Sequence, residues 1–475
     1  MVMKRILIGL MVLAMIAVVA LPAGAEPVPV DPISVSVDLL PGDSSSVEKM
    51  VTPPDYPPVL DLLLLEDETG SFYDDIAAMQ GGLASDIWEG IVAEVTDFQG
   101  GVAGFRDFAQ DGWGGSGDWV YNLYADLTGD KTTWLTGVGV LSALGGADTP
   151  EAQLAALKAA VGHGWDSDGV GGNDTGPMPT WRTGATHVIM LVTDAPYHVH
   201  GDAGGWPGPT YDETITELNA AGVHVIILTA PGAGDYSGLA ADTGGSVKSI
   251  SDGSADIVDA TLAALEEVKT DVWWEIVSID PEISVTFDKE VEYDVSGGTI
   301  VYFTETITAD SCAPAGEYHA SVNFSANTYP EEGTVLGTQE ITVTVLPIPV
   351  YVDVKPGSCP NAFNTKQKGV TPVAILGTDE FDVTTIDPKS VMLNGIEPLR
   401  WSYQDVATPY MGTDNCCWEM GGDGYRDLVL HFDSQALAGT LSGYTVKGDP
   451  IDVTITGSTW CGASIEGSDC IWVVH

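Results

Sequence analysis

The sequence predicts a multidomain α/β-plus-β protein: a doubly wound parallel-sheet domain inserted in a β-sandwich, with a C-terminal β-rich domain. Three observations predict it. Between about Val59 and Val268, short runs apolar on both faces alternate with segments whose apolar residues recur every three and four positions. Alternating strand patterns stand on both sides of that region. A Pro-marked boundary, "LPIPVYVDVKPG", then precedes a last segment that carries five of the six cysteines.

The elements follow in chain order. Residues 1–25 read as a signal peptide: Lys4 and Arg5, an apolar run from Ile6 to about Ala20, then the small residues Ala23-Gly24-Ala25. A membrane anchor fits less well, because the run is short and ends at Pro22. The mature chain is expected to start near Glu26 and to be secreted or held at the cell surface, with no membrane insertion after cleavage. Residues 26–56 contain "PISVSVDLLPGDSSSVEKMVTPP", whose alternation suits strands too short to bury a core alone. They are expected to pair with strands after Lys269.

Residues 57–268 form the α/β domain. "VLDLLLL", "GVAGFRDF", "HVIMLVTDA" and "VHVIILTA" read as central parallel strands. "YDDIAAMQGGLASDIWEGIVAEV", "EAQLAALKAAVGH", "YDETITELNAAG" and "SADIVDATLAALEEV" read as the helices between them. Residues 269–347 return to strand patterns such as "EISVTFDKEVEYDV" and "TIVYFTETITA", the remainder of the sandwich. Residues 348–475 form the cysteine-containing β domain. At least two disulfides are expected among Cys359, Cys416, Cys417, Cys461 and Cys470, with one cysteine left free or reaching Cys312.

Asp and Glu number 68 against 17 Lys and Arg, a formal charge of −51; loss of Lys4 and Arg5 with the leader takes it to −53. Such a field repels nucleic acid and anionic lipid and favours cations. Adaptation to a salty medium gives the same balance, and both readings stand. At 475 residues and 44% hydrophobic content the chain is folded and exceeds one core.

Chemistry gathers at the carboxyl ends of the central strands, where such sheets bind ligands. In "LDLLLLEDETGSFYDD" an apolar strand runs straight into Asp67, Thr69 and Ser71, an acid with hydroxyls two and four residues on. Several oxygens around one point suit a hard divalent cation, although the same pattern also caps helices. "GGADTPE" adds Asp148, Thr149 and Glu151, and "MLVTDAP" adds Asp194.

Taken together, these D-x-T-x-S, D-T-P-E and T-D-A motifs resemble those of a von Willebrand factor A domain with its metal-ion-dependent adhesion site. The closer resemblance is to the I-like domain of integrin β subunits, in an exported microbial protein. That family follows its hydroxyl motif with two acids, as Asp74 and Asp75 do here, and its acid after the second strand matches Asp107. The insertion into a sandwich is similar to the integrin hybrid domain. The resemblance implies a central Mg2+ or Mn2+ held directly by Thr69 and Ser71, with Glu151 or Thr149, and through waters by Asp67 and Asp194. It implies Ca2+ at flanking sites: an adjacent one on Asp74 and Asp75, and a third on Asp107, Asp148, Glu151 and the Pro150 carbonyl. Gly146 stands where the family has an Asn ligand. The partner implied is a protein or other ligand presenting a carboxylate, and the function is adhesion or ligand binding rather than catalysis. The alternatives are a structural cell-envelope protein with cation-braced loops and a secreted hydrolase that docks through this domain.

Lesser candidates complete the reading. His198 and His200 form an HxH pair that suits a transition metal or, more simply, a loop rim. "DSDGVGGND", Asp166 to Asp174, fits a calcium loop or a solvated turn, and Asn173 and Asn323 begin glycosylation patterns. Asp423 and Asp427 flank glycine as in half a calcium loop, with a turn the simpler reading. No G-x-S-x-G elbow, H-E-x-x-H helix or phosphate-cradling glycine loop points to an enzyme.

Overall fold

The computed structural model describes residues 29–109, 112–162, 177–202, 205–251, 253–328, 333–409, 418–441, 448 and 450–474. The expected leader, the 166–174 stretch, Asn173, Cys416 and Cys417 lie outside these residues.

Six strands form the α/β sheet in the order Asn122–Thr128, Asp97–Phe105, Val59–Asp67, Thr186–Thr193, Val223–Thr229, Val247–Ser249. Every neighbouring pair is parallel except the first. The two-residue period of a strand explains why "LDLLLL" is apolar on both faces. Leu60, Leu62 and Leu64 pack with Ile76, Ile87, Ile91 and Ile257 on one face. Leu63 and Leu65 pack with Leu154, Leu157, Leu218 and Leu239 on the other. Each fully buried leucine contributes roughly 1.5–3 kcal/mol, so the sheet is fixed from both sides. Asp61, in the same run, is the exception. Its buried carboxylate accepts hydrogen bonds from the backbone N and Nε of Arg182, both at 2.7 Å.

The strand order reverses between Val59–Asp67 and Thr186–Thr193. Loops leaving the carboxyl ends of these two strands diverge, and the crevice between them is where a doubly wound sheet offers a ligand site. Asp67 ends the first strand and Asp194 follows the second.

The strands outside this region form two packed sheets. Ser44–Val51 pairs antiparallel with Val301–Ala309, and Ser34–Leu39 pairs parallel with Thr334–Val345. Each early strand therefore joins a different sheet, and Val35, Val37 and Val47 share one core with Phe303, Phe324 and Ile341. The segments on either side of the α/β region meet where Gly298 N donates to Pro53 O at 2.9 Å and Tyr56 Oη to Glu266 Oε1 at 2.8 Å. Asn323 sits in the strand Gly316–Asn327, paired on both sides, and its Oδ1 accepts from Thr338 Oγ1 at 2.6 Å.

Residues from Ile348 onward form a second pair of sheets around Val352, Val373, Leu430, Val453 and Ile471. There Asp427 is buried and accepts backbone N–H bonds from Gly377, Val406 and Ala407. Asp423 lies in a turn whose N–H, with that of Gly424, bonds Asp405. The turn reading accounts for both. Cys461 bonds Cys312, so this bridge ties the C-terminal domain to the sandwich rather than stapling the last domain internally. Cys359 and Cys470 are also disulfide-bonded. Non-reducing peptide mapping of the purified chain is expected to recover the Cys312 and Cys461 peptides joined. Their separate recovery as free thiols would rule out this connection. Among the described residues, no helix is long and apolar enough to cross a membrane.

Candidate metal centre

A chain of oxygens crosses the switch point. Thr69 donates to Asp67 Oδ1 from both its backbone N (2.9 Å) and its hydroxyl (2.7 Å). Thr193 Oγ1 donates to Asp67 Oδ2 at 2.7 Å. Thr69 Oγ1 lies 3.3 Å from Ser71 Oγ, which donates to Asp194 Oδ1 at 3.0 Å. With its proton committed to Asp67, the Thr69 hydroxyl keeps its lone pairs for another partner. Asp67 and Thr69 are buried while Ser71 is exposed, so the cluster opens to solvent at its outer end.

Glu151 completes it from the third loop. A Cβ placed on Gly146 would lie 2.9 Å from Glu151 Oε1 and 3.1 Å from the Thr69 Cβ, so the glycine keeps these two groups in company. Glu151 Oε2 is buried without a hydrogen-bond partner. Thr149, the alternative donor, is exposed, and Pro150 is half-buried. Burial, and then the charge of Asp67, pushes the Glu151 carboxyl up to about 10; burial pushes Asp67 to about 6. Among the described residues no Lys or Arg forms an ion pair with either acid. Two hydroxyls, inward-facing acids and an unpartnered carboxylate oxygen fit a hard divalent cation as the missing counter-charge.

Backbone contacts set the loop that carries Gly146. Glu68 Oε1 accepts from Ser142 N at 2.6 Å and its carbonyl from Leu144 N at 2.9 Å. Asp118 Oδ2 accepts from Gly146 N at 2.9 Å, and Gly70 N donates to Gly145 O at 3.2 Å. Neither Glu68 nor Asp118 stood out in the sequence, since each acts through a distant loop. Gly146 has φ +68°. Gly146→Ala is expected to cost about 1–2 kcal/mol in folding from the backbone alone and to weaken Mg2+ binding as the Cβ parts Glu151 from Thr69. Thermal melts and calorimetry on the full chain check both.

The flanking acids are arranged differently from the expectation. Asp74 is exposed, whereas Asp75 is buried and accepts a hydrogen bond from the Ser254 hydroxyl. Successive helical residues point about 100° apart, so the pair divides. Glu66, hidden in the apolar run, is fully buried with neither carboxylate oxygen hydrogen-bonded. Burial, and then the charge of Asp75, raises it well above the ordinary carboxylate range. Asp75 thus lies within reach of a second buried acid, from the strand, whose charge opposes its own.

In the third group the structure brings Asp107 and Asp148 together and adds His198 to them. His200 turns away, its Nδ1 2.8 Å from Gly208 O, so the HxH pair is split. The link of His198 to Asp107 is a tertiary one that the two-residue spacing could not reveal.

No protein-family model matches the chain, and no curated protein matches it. Among solved structures, proximal thread matrix protein 1 from the mussel byssus, crystal form 2, aligns at TM-score 0.29 and 11% identity over 47% of this chain and 47% of that one. The same mussel protein with a zinc-occupied MIDAS motif aligns at TM-score 0.28 and 16% identity over 44% of this chain and 48% of that one. The chain spans about half the length of these structures.

Proposed function

We propose that this chain is an exported adhesion or ligand-binding protein whose α/β domain, of von Willebrand factor A type, captures an acidic group of a partner through a divalent cation. Mg2+ or Mn2+ is the cation at the central cluster, with Thr69, Ser71, Glu151, Asp67 and Asp194 around it, and Ca2+ is the choice for the acids beside it. The observation that carries the reading is the oxygen chain from Asp67 through Thr69 and Ser71 to Asp194, laid across the switch point with buried acids beside it. A cation bound mainly by neutral hydroxyls retains positive charge and accepts a carboxylate from outside. The pairing of residues 34–51 with strands beyond residue 269 supports insertion of the α/β domain into the sandwich, from which ligand capture at Ser71 could move the sandwich.

The test is immobilised full chain exposed to envelope extract in Mg2+ and in EDTA, beside Asp67→Ala. A partner retained only by the parent in Mg2+, and displaced by a soluble acidic peptide, supports capture through the ion. Equal recovery in all arms favours a structural protein whose cations only brace loops.

A further inference from the structure

We propose that Asp107, Asp148 and His198 form a second metal site, built for a borderline divalent transition-metal ion such as Zn2+. It takes Asp107 and Asp148 from the third site that the resemblance implies, with His198 as the added ligand that changes the class of metal, and it does not depend on the adhesion reading. The three ligand atoms lie within 4.8 Å of one another. His198 Nε2 is 3.6 Å from Asp107 Oδ2 and 3.5 Å from Asp148 Oδ2. Ligands about 2.0–2.1 Å from a tetrahedral ion stand roughly 3.4 Å apart, close to both of these separations from His198.

Each inner ligand is held from behind. Asp107 Oδ1 accepts from Phe108 N at 2.6 Å and Trp206 Nε1 at 3.1 Å, leaving Oδ2 buried without a hydrogen-bond partner. His198 Nδ1 lies 3.4 Å from Asp202 Oδ2, and Trp206 stacks on the ring at 5.2 Å. A carboxylate behind one ring nitrogen fixes the proton there and turns the other nitrogen's lone pair outward, as in carboxylate–histidine–metal arrangements. That outward nitrogen, Nε2, is itself buried without a hydrogen-bond partner. These two buried atoms, from different loops, face each other at 3.6 Å, longer than a hydrogen bond, as two ligands of one ion would. Asp148, with its side chain 34% exposed, supplies the entry path.

The nitrogen decides the class of metal. Ca2+ and Mg2+ take oxygen ligands, whereas imidazole suits Zn2+, Cu2+, Fe2+ and Ni2+. Three protein ligands leave one tetrahedral position for water. The ion would also brace the central cluster: His198 N donates to Glu151 O at 2.9 Å, and Glu151 N to Pro196 O at 3.0 Å. The strip that presents Glu151 to Thr69 is therefore tied to the imidazole ligand.

The experiment is titration of chelator-stripped full chain with Zn2+ against a chromophoric competitor, with Co2+ absorption as a second readout. One equivalent of Zn2+ is expected to bind in the presence of millimolar Ca2+. His198→Gln and Asp148→Asn are each expected to weaken it at least tenfold, and Asp67→Ala to change it less than twofold. Asp148→Asn, on an exposed loop, keeps the test intact if the buried histidine variant fails to fold. Parental Zn2+ affinity in Asp148→Asn overturns the proposal, as does loss of Zn2+ only in Asp67→Ala, which would place the ion at the central cluster.

Discussion

Replacing Asp67 with alanine is expected to weaken Mg2+ binding to the full chain at least a hundredfold by calorimetry. Asp67 accepts three hydrogen bonds, two from Thr69 and one from Thr193. Removing it frees the Thr69 hydroxyl to rotate and spend its lone pairs on other donors, so a ligand is lost along with a charge. Loss of an outer orienting group alone typically costs 10–100-fold in metal affinity; here orientation and charge go together. The metal-free variant should not be less stable near pH 8, because burial opposes the Asp67 charge. Unchanged Mg2+ affinity in a folded Asp67→Ala protein would remove the central cluster as the cation site.

Much of this arrangement was legible from local pattern, and the limits have physical causes. The alternation of buried leucines, the switch-point position of Asp67 and Asp194 and the hydroxyl spacing all follow from strand period and loop order. Glu66 was invisible because an acid inside an apolar run gives no sign of which helix covers it. Adjacency in sequence suggests a shared site for Asp74 and Asp75, but the helical turn sends one inward and the other to solvent. The two-residue spacing likewise suggests His200 as the companion of His198, whereas the loop pairing of Glu151 with Tyr197 delivers His198 to Asp107 and Asp148. Cys461 finds Cys312 across a sequence separation of 149. For Glu66, His198 and Cys461 the missing information was which distant segment lies opposite, which spacing along one chain does not encode.

The remaining prediction joins pH to metal. In EDTA, the folded protein is expected to lose stability as pH rises from about 5 to 8, and Mg2+ should restore part of it. Burial raises the folded-state carboxyls of Glu151 to about 10, Asp107 to about 7 and Asp67 to about 6, against ordinary values of 4.5, 3.8 and 3.8. Well below their ordinary values these groups are protonated whether the chain is folded or not, and their contribution is fully present. Above those values the unfolded chain releases its protons while the folded chain holds them, so stability falls with pH until the folded values are passed. At about 1.4 kcal/mol per pH unit for each such group, Glu151 alone accounts for on the order of 4 kcal/mol across this window. A cation bound only by the folded state reverses the sign of the problem: the deprotonated acids become its counter-charges, and Mg2+ at a hundred times its Kd returns about 2.7 kcal/mol. Melting curves at pH 5 and 8, with Mg2+ and with EDTA, measure the effect. The overall acidity also lowers stability as pH rises, so Glu151→Gln is the control. It should flatten the EDTA curve while removing most of the gain from Mg2+. A parental EDTA curve that is flat or rises from pH 5 to 8 would mean that the buried acids already have counter-charges within the protein, and that no cation is needed there.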